Sequence, residues 1–102
     1  MFSPKVQTRQ TDGLVDALLC LSDKEEAYRF LEDILTVQEF LSVAQRLEVA
    51  KLLLSGAKYH EIAAQTGASS ATISRVNRTL LYGAGGYHHI LSVSPSKQKE
   101  NQ

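Results

Sequence analysis

Three features of the sequence predict an all-α fold. Apolar residues recur at three- and four-residue spacing through the first half of the chain, the period of a helix with one buried face. No segment alternates apolar and polar residues for long enough to make a strand. Hydroxyl and acidic residues stand before the apolar runs and glycines after them, where helices start and stop.

The elements follow in order. Residues 1–11 are polar with one proline and read as a disordered arm, whose Lys5 and Arg9 are free to touch a phosphate backbone. Asp12 is placed to cap a helix reaching Leu21, with Leu14, Val15, Leu18 and Leu19 on one stripe. Ser22 followed by Glu25 has the offset of a capping box, which satisfies two free backbone N–H groups at a helix start. The helix it opens carries Ala27, Phe30, Leu31 and Ile34. Thr36 with Glu39 repeats the offset and opens the longest helix, about 37–55. Phe40, Leu41, Val43, Ala44, Leu47, Ala50, Leu53 and Leu54 are apolar along it, and Gly56 ends it in the left-handed position. Residues 59–66 read as a two-turn helix stopped by Gly67. Ser69 or Ser70 caps another, reaching Tyr82. Gly83, Gly85 and Gly86 then break the pattern, with space for one more turn at 87–91. The expected organisation is an arm at 1–11, one helical domain at 12–91 and a disordered polar tail at 92–102.

Composition bounds the function. A chain of 102 residues predicts one domain. Its 11 basic and 11 acidic side chains cancel, which excludes a grossly basic coat but not a local basic face. The charges are unevenly placed. Nine acids lie between residues 12 and 48, against Lys24, Arg29 and Arg46. From Ile62 to Lys99 there is no acid, against Arg75, Arg78, Lys97 and Lys99. The C-terminal half is where a polyanion would be met. Cys20 has no second cysteine for a disulfide or a metal pair, and its apolar run predicts a packed thiol. No apolar stretch approaches the roughly 20 residues that span a bilayer, and no apolar run opens the chain as a signal peptide would. A cytoplasmic protein without a membrane partner is expected. No nucleophile signature stands among the Ser, Cys and His residues, so an enzyme is not expected. His88 and His89 point about 100° apart on a helix, with no nearby ligand to complete a metal site. They read as packing or solvent-facing residues.

The segment from Glu61 to Arg78 has the pattern of a helix-turn-helix. Two short helices that cross steeply need a small residue at the crossing, and Ala63 supplies it. The turn needs a positive φ, which Gly67 adopts without Cβ strain. Ile62, Ile73 and Val76 sit where the second helix packs back on the first. Ser69, Ser70, Ala71, Thr72, Ser74, Arg75 and Arg78 face outward, and they are small, polar or basic. Small residues let a helix enter the major groove deeply, and Ser, Thr and Arg bond phosphates or base edges. With His60 on the first helix, these are the candidate DNA-binding residues.

The stretch from Leu35 to about Leu81 resembles the Trp repressor family, within it the YerC/YecD-type branch. The matching pieces are Leu35-Thr36 with Glu39, Arg46, Leu53-Leu54 with Gly56, and Gly67-Ala68 with Ala71-Thr72-Ile73 and Arg75. A one-residue shortening lies between Gly56 and Gly67. The resemblance implies an intertwined helical homodimer that binds an operator through paired recognition helices. It also implies a ligand pocket, whose positions fall on Thr36, Arg46, Thr72, Arg75, Val76 and Thr79. The two arginines would suit a small carboxylate corepressor. Val76, however, stands where the family keeps a glycine beside the indole, which argues against tryptophan. Ala63 and His60 stand where the family has basic residues, and its last helix has no evident counterpart after Tyr82. The expectation is a homodimeric regulator, most simply a repressor, on a near-palindromic site in double-stranded DNA. The alternatives are a ligand-independent DNA-binding protein with a self-filled pocket, and a helical protein-interaction module without DNA binding.

Overall fold

A computed structural model describes residues 1–93; residues 94–102, most of the expected tail with Lys97 and Lys99, lie outside the described residues. The regular elements of the described residues are all helices: α1 Arg9–Leu19, α2 Lys24–Ile34, α3 Val37–Leu54, α4 Tyr59–Thr66, α5 Ser70–Tyr82 and α6 Gly86–Val93. It divides into two units, residues 1–40 and the chain from residue 41 onward, with α3 beginning in the first and continuing into the second.

In the N-terminal unit the helices start where local hydrogen bonding is best satisfied, which is not always where the sequence suggests. Helix α1 begins at Arg9 rather than after Asp12, so residues 9–11 of the expected arm are helical. Thr8 and Thr11 form a reciprocal cap: the Thr11 N–H donates to Thr8 Oγ1 at 3.0 Å and the Thr8 N–H to Thr11 Oγ1 at 2.7 Å. A second threonine does the work expected of a glutamate. The α2 cap is shifted by one residue from the expected Ser22–Glu25 pair. Asp23 accepts from the Glu26 N–H at 2.8 Å, and Glu26 reaches back to the Ser22 N–H at 2.9 Å. Glu25 instead pairs with Arg29 at 3.2 Å, one turn along the helix. The Thr36–Glu39 capping box at the start of α3 is as expected, with the Thr36 N–H donating to Glu39 Oε1 at 2.8 Å and the Glu39 N–H to Thr36 Oγ1 at 3.1 Å. The Tyr28 and Phe40 rings lie 5.9 Å apart, centroid to centroid.

None of residues 1–40 is buried. Leu14, Val15, Leu18 and Leu19, the expected apolar stripe of α1, are all exposed, Leu19 at 79%. Cys20, expected to be packed, is exposed as well, like the stripe it follows.

The second unit holds the core. Val49 and Ala50 of α3, Ile62 of α4, Ala68 in the following turn, Ile73 and Val76 of α5, and Leu91 of α6 are buried together. Helix α3 stops in a Schellman motif: the Ala57 N–H donates to the Leu52 carbonyl, the Gly56 N–H to the Leu53 carbonyl, and Gly56 takes φ +90°. Leu52 and Ala57 pack against the core on either side of this turn. Helix α6 corrects the sequence reading on two points. It spans eight residues instead of the single turn at 87–91, and it supplies a last helix where none was evident. The glycines read as breakers build its approach: Gly85 turns the chain at φ +84°, and its carbonyl accepts the His89 N–H at 3.1 Å.

Candidate nucleic-acid interface

Helices α4 and α5, with the turn between them, form the candidate interface. The Lys58 N–H at the start of α4 is satisfied by Glu61 Oε1 at 2.8 Å. Gly67 ends α4 in the left-handed conformation at φ +74°, its N–H donating to the Ala63 carbonyl at 2.9 Å. Ser69 caps α5 by accepting from the Thr72 N–H at 3.1 Å. The inner face is apolar: Ile62, Ala68, Ile73 and Val76 are each 4% exposed or less. Ala63, the small residue at the crossing, is half-buried against the same core.

Most of the expected DNA-facing residues are exposed. Ser70, Ala71, Ser74, Arg75 and Arg78 all lie on the open face of α5, and His60 is exposed on the first turn of α4. The Arg75 and Arg78 side chains have no hydrogen-bond or ion-pair partner among the described residues, so both guanidiniums are available to an external anion. Two residues are more committed. Ser69 donates its hydroxyl hydrogen to Thr72 Oγ1 at 3.1 Å while its oxygen caps the helix. Thr72 is half-buried under that cap.

The expected pocket residues are distributed as follows. Thr36 lies in the N-terminal unit and is engaged in the α3 capping box. Arg46 is exposed on α3, also without a partner among the described residues. Thr79 is exposed and donates its hydroxyl to the Arg75 carbonyl at 3.2 Å. Val76 is 1% exposed and forms part of the core.

Some residues that position the interface escaped the sequence reading. Val49 is fully buried, although Val43 and the larger Leu41, Leu47 and Leu54 of the same helix are exposed. Leu91 buries α6 against the core of the reading head. The His88 ring nitrogen Nε2 lies 3.0 Å from the Leu80 carbonyl near the end of α5, which gives that histidine a structural contact. Gln45 and Thr66 tie α3 to the turn. Gln45 stands next to Arg46 and between Ser42 and Glu48, so nothing in the sequence singled it out.

The family model described as Trp repressor protein matches residues 9–94. The chain belongs to the Trp repressor family. It is 49% identical over 87 residues to the uncharacterized protein YerC of Bacillus subtilis (strain 168), covering 85% of this chain and 84% of that one. Among solved structures, it is similar to a TrpR-like protein from Eubacterium eligens at 50% identity and a TM-score of 0.83, covering 86% of this chain and 91% of that chain. It is also similar to a candidate Trp repressor from Staphylococcus aureus at 45% identity and a TM-score of 0.82, covering 84% and 86%. The family match runs through α1 to α6, so the late helix is part of the family domain. Among the described residues, no helix is long and apolar enough to cross a membrane.

Proposed function

We propose that the protein is a sequence-specific DNA-binding transcriptional regulator, most simply a repressor, that acts as a homodimer in the cytoplasm. The observation that carries this is the division of α4 and α5 into two faces. The inner face buries Ile62, Ala68, Ile73 and Val76, and the outer one exposes Ser70, Ala71, Ser74, Arg75 and Arg78 with no acid beyond Glu61. Membership of the Trp repressor family supports the same reading. In a two-fold dimer, recognition helices about 34 Å apart meet successive major grooves, so the operator is a near-palindrome. Repression then needs only occupancy of the promoter.

Ser70, Ala71 and Ser74, near the start of α5, face base edges, and Arg78 a turn later meets phosphate. Gel shifts on fragments selected from the host genome test this at several salt concentrations, because phosphate contacts release counterions. Arg78→Ala should weaken binding to all sequences alike and lower the salt slope by about 1. Ser74→Ala should change preference at one base pair by about 1–3 kcal/mol. Unaltered operator binding in both variants would remove α5 from the interface.

A self-filled pocket is the second reading, favoured by the burial of Val76 at 1% exposure. On that reading the protein binds its operator without a corepressor.

A further inference from the structure

The turn between α4 and α5 is held by more than its glycine. Thr66 closes α4, and its side chain and carbonyl are both engaged. Its hydroxyl donates to the Ile62 carbonyl at 2.7 Å and accepts from the Ala68 N–H at 3.1 Å. Its carbonyl belongs to the last turn, where helix carbonyls have no intrahelical partner. That carbonyl accepts a hydrogen bond from Gln45 Nε2 at 3.1 Å. Gln45 stands on α3, 21 residues earlier in the chain, and both ends of the bond are partly buried. The next residues are pinned in turn: Gly67 to the Ala63 carbonyl, Ala68 in the core, and Ser69 as the α5 cap.

We infer that Gln45 is a positioning residue that locks the helix-turn-helix turn to α3 through the Thr66 carbonyl, and so sets the direction in which α5 presents its outer face. Apolar packing is non-directional, and the core formed by Ile62, Ile73 and Val76 resists separation of the helices better than rocking. A hydrogen bond weakens steeply as its angle closes, so one well-placed bond at the turn fixes what packing leaves loose. Partial burial strengthens the bond and slows its replacement by water. The bond couples α5 to the helix that links both units of the chain. In a dimer reading two half-sites, any error in that direction is applied twice. The functional consequence rests on the proposed DNA-binding reading; the lock itself does not.

Gln45→Met keeps the length of the side chain and removes the donor. Gln45→Glu keeps its shape and, ionised at neutral pH, also lacks the donor. Both variants should exchange the amides of residues 67–73 about tenfold faster than the parent, with the middle of α3 unchanged, because an unsatisfied carbonyl favours local opening. Both should lose about tenfold in affinity for the selected operator, while affinity for random duplex and the salt slope stay within about twofold. A purely structural role would instead lower specific and non-specific binding together with the melting temperature, and that result would overturn the proposal. So would unchanged exchange at 67–73 in both variants. If the parent retards no DNA but the exchange response appears, the lock stands and the DNA-binding reading fails.

Discussion

Val76 is the residue on which the two proposed uses of the pocket positions turn. Its methyls pack with Val49, Ile62 and Ile73 at 1% exposure, so the volume it fills is not open to a guest. A ring entering there would have to displace a core side chain, with a cost of about 1–3 kcal/mol from overpacking alone. Isothermal titration with L-tryptophan should therefore show no binding, and operator affinity should not respond to it. Micromolar affinity abolished by Arg75→Ala would restore a corepressor role. The inward turn of Val76 was legible from its spacing after Ile73. The burial of Val49 was not, because α3 is apolar on too many sides for periodicity to choose the buried stripe. Ala50 and Val49 win over the larger Leu47 because the short α4 and α5 reach only one side of the helix.

At the scale of the element, the helices were legible and their first residues less so. Thr36 and Glu39 could be read directly because no competing cap lies nearby. At α1 and α2 the Thr8–Thr11 pair and Asp23 compete with Asp12 and Ser22, and both winners accept a backbone N–H outside the expected positions. The α3 cap also carries a pH dependence. The Thr36 backbone N–H, and then its hydroxyl, hold the Glu39 carboxyl below its ordinary value. A carboxyl depressed by folding contributes stability that is present above its unfolded pKa and is lost as pH falls through the folded one. Melting temperatures followed by circular dichroism should fall more steeply from pH 5 toward pH 3 in the parent than in Glu39→Gln. Parallel curves would show that the cap contributes nothing measurable. Helix α6 was read as a single turn at 87–91 for a different reason: a Gly-rich approach and two histidines give little periodic signal, and the packing of Leu91 and Tyr87 makes the longer helix worthwhile.

At the scale of the molecule, the two units differ in self-sufficiency. The second has a core drawn from four helices. The first, 40 residues long, has no buried side chain, yet it exposes Leu14, Val15, Leu18 and Leu19 on α1 and Tyr28 and Ile34 on α2. A monomer gains little from ordering such a segment, whereas a partner that covers these residues gains roughly 25 cal/mol for each Å² of apolar surface removed from water. Sedimentation at micromolar concentration should give twice the 11.3 kDa chain mass. Leu14→Glu with Leu18→Glu should abolish the dimer and reduce helix content. A fully helical monomer in the parent would refute the dimer. An intertwined dimer is what the resemblance implies and residue spacing does not, since an apolar stripe does not state whose surface covers it.

An N-terminal unit without a core of its own makes the lifetime of the chain a matter of its concentration. In the proposed dimer, association would stabilise the ordered state by mass action, so dilute, newly made chains would remain open in their first 40 residues, while abundant ones would close over each other. Proteases that act on open segments would clear the unpaired copies first. Scarcity would thus remove the regulator faster than its synthesis rate implies, and the cellular dose would fall off sharply below a threshold rather than in proportion.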